Sequence, residues 1–155
     1  MKLRGFEIVS AYNDTEVRIP KRSTKHSAGY DFEACEDVLI PSIQVHGFVT
    51  PVLVKTGIKA YMQEDEYLQL ANRSSNPIKR GLVMSNSIGV VDQDYYNNPD
   101  NEGHIMFQFM NFGESDLIIR KGEKIGQGIF LKYYRTDEDE VSSEIRSGGF
   151  GSTGI

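Results

Sequence analysis

The chain has 155 residues and a formal net charge of -5 at pH 7, which suits one domain with a substantial core. The acidic balance argues against a general nucleic-acid binder, because affinity for a phosphate backbone needs a basic face. No segment has the apolar length needed to span a bilayer, and no apolar run precedes the first acidic residue, so we expect a soluble protein of the cytoplasm with no membrane contact.

The cysteine and histidine residues predict neither a disulfide nor a transition-metal site. Cys35 is the only cysteine, so an intrachain disulfide is impossible, and we interpret it as a buried, inert thiol. His26, His46 and His104 share no metal-ligand spacing.

The first half of the chain consists of short apolar or alternating runs, which predict strands over residues 6–12, 28–35, 38–41, 48–60 and 66–71. Between the first two lies a basic run, 18–22, which we interpret as a solvated loop. In the 28–35 strand, Asp31 and Glu33 share one face. They suit either water-mediated Mg²⁺ binding or a plain polar outer face.

Residues 72–81 carry the signals of a single short helix. Ser75 or Asn76 can cap it, Pro77 suits its first turn, and Gly81 ends it. The preceding Arg-Ser-Ser run could supply a guanidinium, hydroxyls and free amides to an anion. Ordinary helix capping explains the same residues, so both interpretations stay open here.

Residues 86–95 combine a β-branched strand with polar groups. Asn86 offers an amide that donates and accepts, Gly89 permits close approach to the main chain, and Asp92 carries a carboxylate able to take a proton from water. Tyr95 could pack flat against a sugar. The alternative is a hairpin whose polar residues only form its turn.

The second half predicts further strands and a loop. Residues 96–104 are polar and rich in turn formers, so we expect an exposed loop. Residues 105–112 should form a strand buried on both faces, and strands over 116–119 and 125–134 follow, with Gln127 in an apolar setting that requires a hydrogen-bond partner. Many short strands and one short helix predict an all-β sandwich, barrel or jelly roll.

The acidic run 137–140 would not pack, so we expect a core domain over residues 1–136 and a flexible C-terminal arm over 137–155. The arm carries Arg146, Phe150 and four glycines between 146 and 154. Such a segment can wrap a phosphate while its ring stacks on a flat ligand. Residues 149–154 fit G-x-G-x-x-G, but no strand-turn-helix unit surrounds them, so the match is spurious.

Five segments, 28–31, 73–75, 86–95, 124–127 and 146–154, resemble in order and spacing the five motifs of the homotrimeric dUTPases, in a form similar to those of Gram-positive bacteria and their phages. The resemblance covers essentially the whole chain. It implies a dUTPase-like jelly-roll or β-clip barrel with an arm that closes over the active site. It also implies hydrolysis of dUTP to dUMP and pyrophosphate with Mg²⁺, in a homotrimer with shared sites.

The resemblance also implies a role for each site residue. Asp92 would be the general base that deprotonates the attacking water, and Asp31 would contact the water shell of Mg²⁺ carried by the triphosphate. Asn86 with the main chain of Gly89 and Val90 would bind the uracil edge, and Tyr95 would pack under the deoxyribose and exclude a 2'-hydroxyl. The remaining substrate-binding residues, for the phosphates or for closure over the base, would be Arg73, Ser74, Ser75, Val91, Met106, Gln127, Arg146, Phe150, Gly151, Ser152 and Thr153.

The sequence departs from the family pattern in three places. Lys124 stands where the fourth motif usually begins with Arg, Gly126 stands where Ala precedes Gln, and the loop after Tyr95 is longer than usual. Two alternatives to the hydrolase remain. One is a dCTP deaminase of the same fold, which needs a glutamate beside the base, and none is evident in 86–95. The other is a nucleotide-gated partner of a phage repressor, to which the longer loop would be suited.

Overall fold

The structure is a computed structural model that describes residues 1–141 and 145–151. Within them the chain forms short strands connected mainly by turns: β1 (Gly5–Ile8), β2 (Tyr30–Glu33), β3 (Val38–Ile40), β4 (Val52–Lys55), β5 (Ile58–Tyr61), β6 (Glu66–Asn72), β7 (Leu82–Met84), β8 (Gly89–Val91), β9 (Met106–Asn111), β10 (Leu117–Ile119) and β11 (Lys124–Lys132). The helices are short: α1 (Ile43–His46), α2 (Ser75–Arg80) and single 3-10 turns at Ser10–Tyr12 and Gln93–Tyr95. The predicted all-β architecture is confirmed.

The strands pair antiparallel in four small sheets. The largest has the order β2-β11-β6-β8, a second has the order β4-β9-β7, and β1 pairs with β5 and β3 with β10. The core lies where the two larger sheets meet. Phe32 of β2 packs on Phe107 of β9, with 5.5 Å between the two ring centroids, and Phe107 stacks on Phe109. All three rings are fully buried.

Strand β9 corrects one expectation from the sequence. Its residues alternate, so that Phe107, Phe109 and Asn111 are buried, whereas Met106, Gln108 and Met110 are only half-buried. A long apolar run therefore did not mean burial on both faces. Only one face of β9 lies against the aromatic core, and methionines occupy the other.

The predicted helix forms as α2, but neither of its expected caps is used. Ser74 precedes the helix and makes no side-chain cap, and Asn76 points inward, fully buried, where its Nδ2 donates to the carbonyl of Ile125 at 2.9 Å. Gly81 ends the helix in the left-handed region, with φ 65°. The four-residue α1 was not predicted, because so short a helix has no periodicity. In the described part of the chain, no helix combines the length and the apolar character that crossing a bilayer requires.

The largest sheet carries three of the five motif segments, and a fourth begins where its strand β6 ends. On β6, Leu70 lies opposite Gly89 of β8, and Ala71 lies opposite Gln127 of β11, which in turn lies opposite Asp31 of β2. The Arg-Ser-Ser segment follows directly from the end of β6. Sheet pairing thus brings segments far apart in the chain onto one surface.

Candidate active site

A pocket of ≈ 220 Å³ opens beside β8 and gathers most of the residues expected to bind base and sugar. The described residues that line it are Leu70, Asn86, Gly89, Val90, Val91, Asp92, Tyr95, Ile105, Met106, Arg146, Gly149 and Phe150. Leu70, Ile105 and Gly149 were not predicted as site residues. Leu70 and Ile105 are core residues that also reach the pocket. The wall is mainly apolar, with few polar groups, as in a small-molecule site.

One end of the pocket, where the sequence predicts base binding, is lined by residues of β8. Gly89 lies so close to β6 that a Cβ there would meet the Leu70 side chain at 2.9 Å. Asn86 stands in the exposed turn before the strand, and the Val90 side chain is exposed beside it. Glycine at position 89 is therefore required by sheet packing, and it leaves the main chain of β8 at the pocket wall.

Tyr95 forms a buried wall of the pocket and is fixed by hydrogen bonds. Its ring is 7% exposed, its hydroxyl donates to the carbonyl of His104 at 2.8 Å, and that hydroxyl accepts from Nδ2 of Asn101 at 2.8 Å. Burial raises the pKa of the Tyr95 phenol, although the bond from Asn101 works in the opposite direction. The ring is thus neutral and anchored at its far end.

Asp92 lies where β8 gives way to the 3-10 turn, at the mouth of the pocket. Its side chain is 52% exposed and meets Arg146, whose Nη2 lies 2.6 Å from Oδ2. Nε of the same guanidinium lies 2.7 Å from Oδ1 of Asp94. One arginine of the C-terminal segment therefore bridges two carboxylates, which is a charge-assisted arrangement with defined direction.

The C-terminal segment 145–151 lies against this pocket. A Cβ on Gly149 would meet the Tyr95 ring at 2.7 Å, so only glycine permits this approach. The carbonyl of Ser147 accepts from the amide of Asp100 at 3.0 Å. Phe150 reaches the pocket rim half-exposed. Gly151 adopts φ 89° and is exposed, outside the pocket lining, and Ser152 and Thr153 lie outside the described residues.

A second cluster of predicted site residues forms toward the β2 edge of the same sheet, away from β8, and does not line this pocket. It comprises Arg73, which donates to the carbonyl of Lys124 at 3.1 Å, Gln127, which donates to the carbonyl of Asn72 at 3.2 Å, and Asp31. Ser74 and Ser75 stand at the start of α2 beside them.

The carboxylate of Asp31 is the acidic group of this second cluster. It is paired with Nζ of Lys124 at 3.0 Å and accepts a hydrogen bond from the Ser23 hydroxyl. Partial burial alone would raise the pKa of this carboxyl, but the bonds from Ser23 and Lys124 outweigh it and hold the pKa below its usual range. Asp31 is thus ionised at neutral pH. Lys124, the first departure from the family pattern, belongs to this cluster.

Gly126, the second departure from the family pattern, has a packing cause. A Cβ at this position would meet Cε1 of Phe107 at 2.2 Å, inside any allowed contact. Because Phe107 is fully buried in the aromatic core, the ring has no free space to move into. Alanine is therefore excluded here by the large side chain on β9.

The 96–104 loop makes more hydrogen bonds within the protein than its sequence suggested. The expectation that it is exposed is wrong for part of it. Asn98 and His104 are buried, and Glu102 pairs with Nζ of Lys59 at 2.9 Å. The residues are turn formers, as predicted, but their amides bond to the loop and to Tyr95 instead of to water. Composition alone does not reveal where such bonds go.

Within residues 1–141 and 145–151, no three His, Cys, Asp or Glu side chains group closely enough to hold a metal ion between them. Asp31 offers ionised oxygens that can coordinate Mg²⁺ or accept hydrogen bonds from its bound waters. A metal that arrives with its own phosphate ligands would need no larger protein cluster.

Together, the antiparallel fold and a mainly apolar pocket with one carboxylate at its mouth define a class: a β-sheet protein with a site for a small molecule. The family model for dUTPase matches residues 15–154. A deoxyuridine 5'-triphosphate nucleotidohydrolase of Lactococcus lactis is 52% identical over 155 residues, 99% of each chain. The chain belongs to the dUTPase family.

Solved structures agree. A dUTPase from Streptococcus mutans superposes with a TM-score of 0.79 at 47% identity, covering 86% of this chain and 98% of that one. A dUTPase mutant from phage phi11 of S. aureus superposes with a TM-score of 0.70 at 17% identity, covering 92% and 99%, which supports the fold alone. The resemblance seen in the five motifs is confirmed, as is its Gram-positive character.

Proposed function

We propose that the protein hydrolyses dUTP to dUMP and pyrophosphate, and so supplies dUMP and keeps uracil out of DNA. The observation that carries the proposal is the pocket beside β8, where the main chain of Gly89, the ring of Tyr95 and the carboxylate of Asp92 meet. The relatives named as dUTP nucleotidohydrolases support the same activity, since identity with one of them extends along 99% of the chain.

The pocket supplies selectivity through its shape. Uracil would bond to Asn86 and to the main chain at Gly89 and Val90, and the strand would leave no room there for the methyl group of thymine. Val91 and Met106 would pack against the nucleoside, and Tyr95 would lie against the deoxyribose. The ring is buried and anchored, so a 2'-hydroxyl would have to displace a fixed wall.

Asp92 would act on the water. Its exposed carboxylate stands at the pocket mouth, where a water can approach from solvent. Asp92 would take a proton from that water, the oxygen would attack the α-phosphorus, and pyrophosphate would leave. Arg146 would move from Asp92 to the phosphates when nucleotide binds, which frees the base and neutralises the triphosphate.

The phosphates would need the second cluster as well, and a trimer would supply it. Arg73, Ser74, Ser75 and Gln127 carry the cation and donors expected for a phosphate chain, yet they do not line the pocket of their own chain. We therefore propose a homotrimer in which this cluster on one subunit faces the pocket of a neighbour. Phe150, Gly151, Ser152 and Thr153 of the arm, residues 137–155, would complete the site over the bound base and phosphates.

Mg²⁺ would accompany the triphosphate. The phi11 phage dUTPase coordinates a structural Mg(II) ion, and Asp31 here offers an ionised carboxylate next to the phosphate cluster. When bound, the metal would neutralise charge on the phosphate oxygens. Asp31 would bind the water shell of that ion after Lys124 moves away from its carboxylate.

The pocket argues against a dCTP deaminase. Among the described residues that line it, Asp92 is the only carboxylate and glutamate is absent, although deamination of cytosine would need a glutamate beside the base. A regulatory contact with a phage repressor stays a prediction from the sequence, because no feature of the described chain favours it.

The test is pyrophosphate release with Mg²⁺ from dUTP, dTTP, dCTP and UTP, measured in parallel for the native protein and for Asp92→Asn. We expect release from dUTP alone, and its loss in the variant with nucleotide binding retained. Release from several nucleotides, or equal activity of Asp92→Asn, would contradict the proposal.

A further inference from the structure

The 96–104 loop, which is longer than is usual in the family, bonds to Tyr95 at its main chain and at its hydroxyl. Nδ2 of Asn98 donates to the main-chain carbonyl of Tyr95 at 2.8 Å, and Nδ2 of Asn101 donates to its hydroxyl at 2.8 Å. The hydroxyl in turn donates to the carbonyl of His104 at 2.8 Å. Among residues 1–141 and 145–151, every hydrogen bond to the phenol hydroxyl therefore comes from this loop.

The two asparagines also hold each other in place. Nδ2 of Asn98 donates to Oδ1 of Asn101 at 2.8 Å, and Oδ1 of Asn98 accepts from the amides of Asp100 and Asn101 at 3.0 and 3.1 Å. Oδ1 of Asn101 also accepts from the amide of Gly103 at 3.1 Å. With its oxygen committed to these donors, the amide nitrogen of Asn101 is directed at the Tyr95 hydroxyl.

We infer that Asn101 is a positioning residue for Tyr95 and, through that ring, a determinant of selectivity for 2'-deoxyribose. The inference rests on the proposed function, in which Tyr95 is the wall that excludes a 2'-hydroxyl. A hydrophobic pocket rejects an added hydroxyl only weakly unless its wall is rigid. With only the hydrogen bond to the His104 carbonyl, the Tyr95 ring could tilt about that bond. The second hydrogen bond, from Asn101, prevents this tilting.

The loop therefore does more than close a turn. It supplies the bonds that anchor Tyr95, and it also contacts the C-terminal segment through the bond from the amide of Asp100 to the carbonyl of Ser147. Asn101 itself does not line the pocket. It would act on the nucleotide only through Tyr95.

Asn101→Asp tests the inference, with Asn97→Asp as its matched control. The first change keeps the acceptor oxygen for Asn98 and Gly103 and replaces the donor to Tyr95 by an acceptor. The Tyr95 hydroxyl, with one proton to donate, can then bond to position 101 or to the carbonyl of His104, but no longer to both. The second makes the same chemical change in the same loop, where Oδ1 of Asn97 accepts from Lys59 and no bond reaches Tyr95. We expect the ratio of kcat/KM for dUTP to that for UTP to fall about fivefold to tenfold in Asn101→Asp, the size of one lost hydrogen bond. In Asn97→Asp the ratio of kcat/KM for dUTP to that for UTP should stay unchanged.

A double-mutant cycle with Tyr95→Phe separates positioning from a general loss of stability. Tyr95→Phe keeps the ring, removes the hydroxyl and should lower the ratio by itself. Adding Asn101→Asp to it should then change the ratio less than twofold, because the contact is already gone.

Two results would overturn this inference alone, in a native protein that hydrolyses dUTP selectively. An unchanged ratio in Asn101→Asp, including equal losses with dUTP and UTP, would mean that Asn101 only stabilises the fold. Full additivity with Tyr95→Phe would mean that Asn101 does not act through the hydroxyl. A native protein with no preference for dUTP would remove the proposed function as well.

Discussion

Mild acid should destabilise the folded protein through His104. This side chain is 6% exposed, and its Nε2 accepts a hydrogen bond from the amide of Gly57 at 2.8 Å, which requires a neutral ring. Burial is the main reason that its pKa is lowered from 6.5 to about 4, and nearby Lys55 adds to the effect, while Glu36 and Glu102 oppose it. Protonation would oppose the bond that holds the start of β5 against the loop beside Tyr95.

The pKa sets the sign and the size of the change. Between about pH 6.5 and about pH 4 the unfolded chain takes up a proton that the folded chain refuses, so the free energy of unfolding falls as the pH falls. The whole shift of His104 corresponds to about 3 kcal/mol, of which about 2 kcal/mol is lost between pH 7.5 and pH 5. Above pH 7 the group contributes almost no pH dependence.

The measurement is urea unfolding of the native protein and of His104→Gln at about pH 7.5 and about pH 5, at one protein concentration. Glutamine can accept from Gly57 but does not titrate. The native protein should lose about 2 kcal/mol more than the variant between the two pH values. Carboxylates that titrate in this range affect both proteins alike, so parallel pH dependence would refute the role given to His104.

Three further predictions concern packing and charge. Gly126→Ala restores the residue usual in the family but should lower the free energy of unfolding by about 1–3 kcal/mol, because the new methyl group meets Phe107; unchanged urea midpoints would contradict that contact. Arg146→Ala should reduce kcat/KM for dUTP at least about tenfold, the effect of losing a charge-assisted bond to phosphate; an unchanged value in steady-state kinetics would exclude Arg146 from the site. Lys124→Gln removes the ion pair with Asp31, so the pKa of the Asp31 carboxyl should rise toward its ordinary value. 13C NMR titration of the labelled Asp31 carboxyl measures this, and an unchanged pKa would refute the pairing.

The strands were predictable because alternation and short apolar runs are local signals. Strand β2 shows this: Phe32 is buried between the half-exposed Asp31 and Glu33, as period-2 alternation requires. The first strand was predicted too long, since the chain turns into the 3-10 segment after Ile8, and the apolar residues beyond it pack from a turn. Residue type alone does not mark that change.

The site was predictable from motifs, but its contacts were not. Arg146 meets Asp92 across 54 positions of sequence, and the bond depends on the path of the C-terminal segment over the pocket. Asn101 looked like an ordinary turn residue because asparagine favours turns for local reasons. Its bond to Tyr95 depends on the three-dimensional course of the loop.

The central claim is that the pocket of one subunit works with the phosphate cluster of another. Mixed assemblies of Asp92→Asn and Arg73→Ala test it directly, after each variant alone has been found folded and inactive on dUTP. If the two residues serve one site from different subunits, equal random mixing restores both native residues in about a quarter of the sites. We therefore predict about a quarter of the native rate of pyrophosphate release after unfolding and refolding the variants together. No recovery in folded, co-assembled protein would place both residues in sites within single chains and contradict the claim.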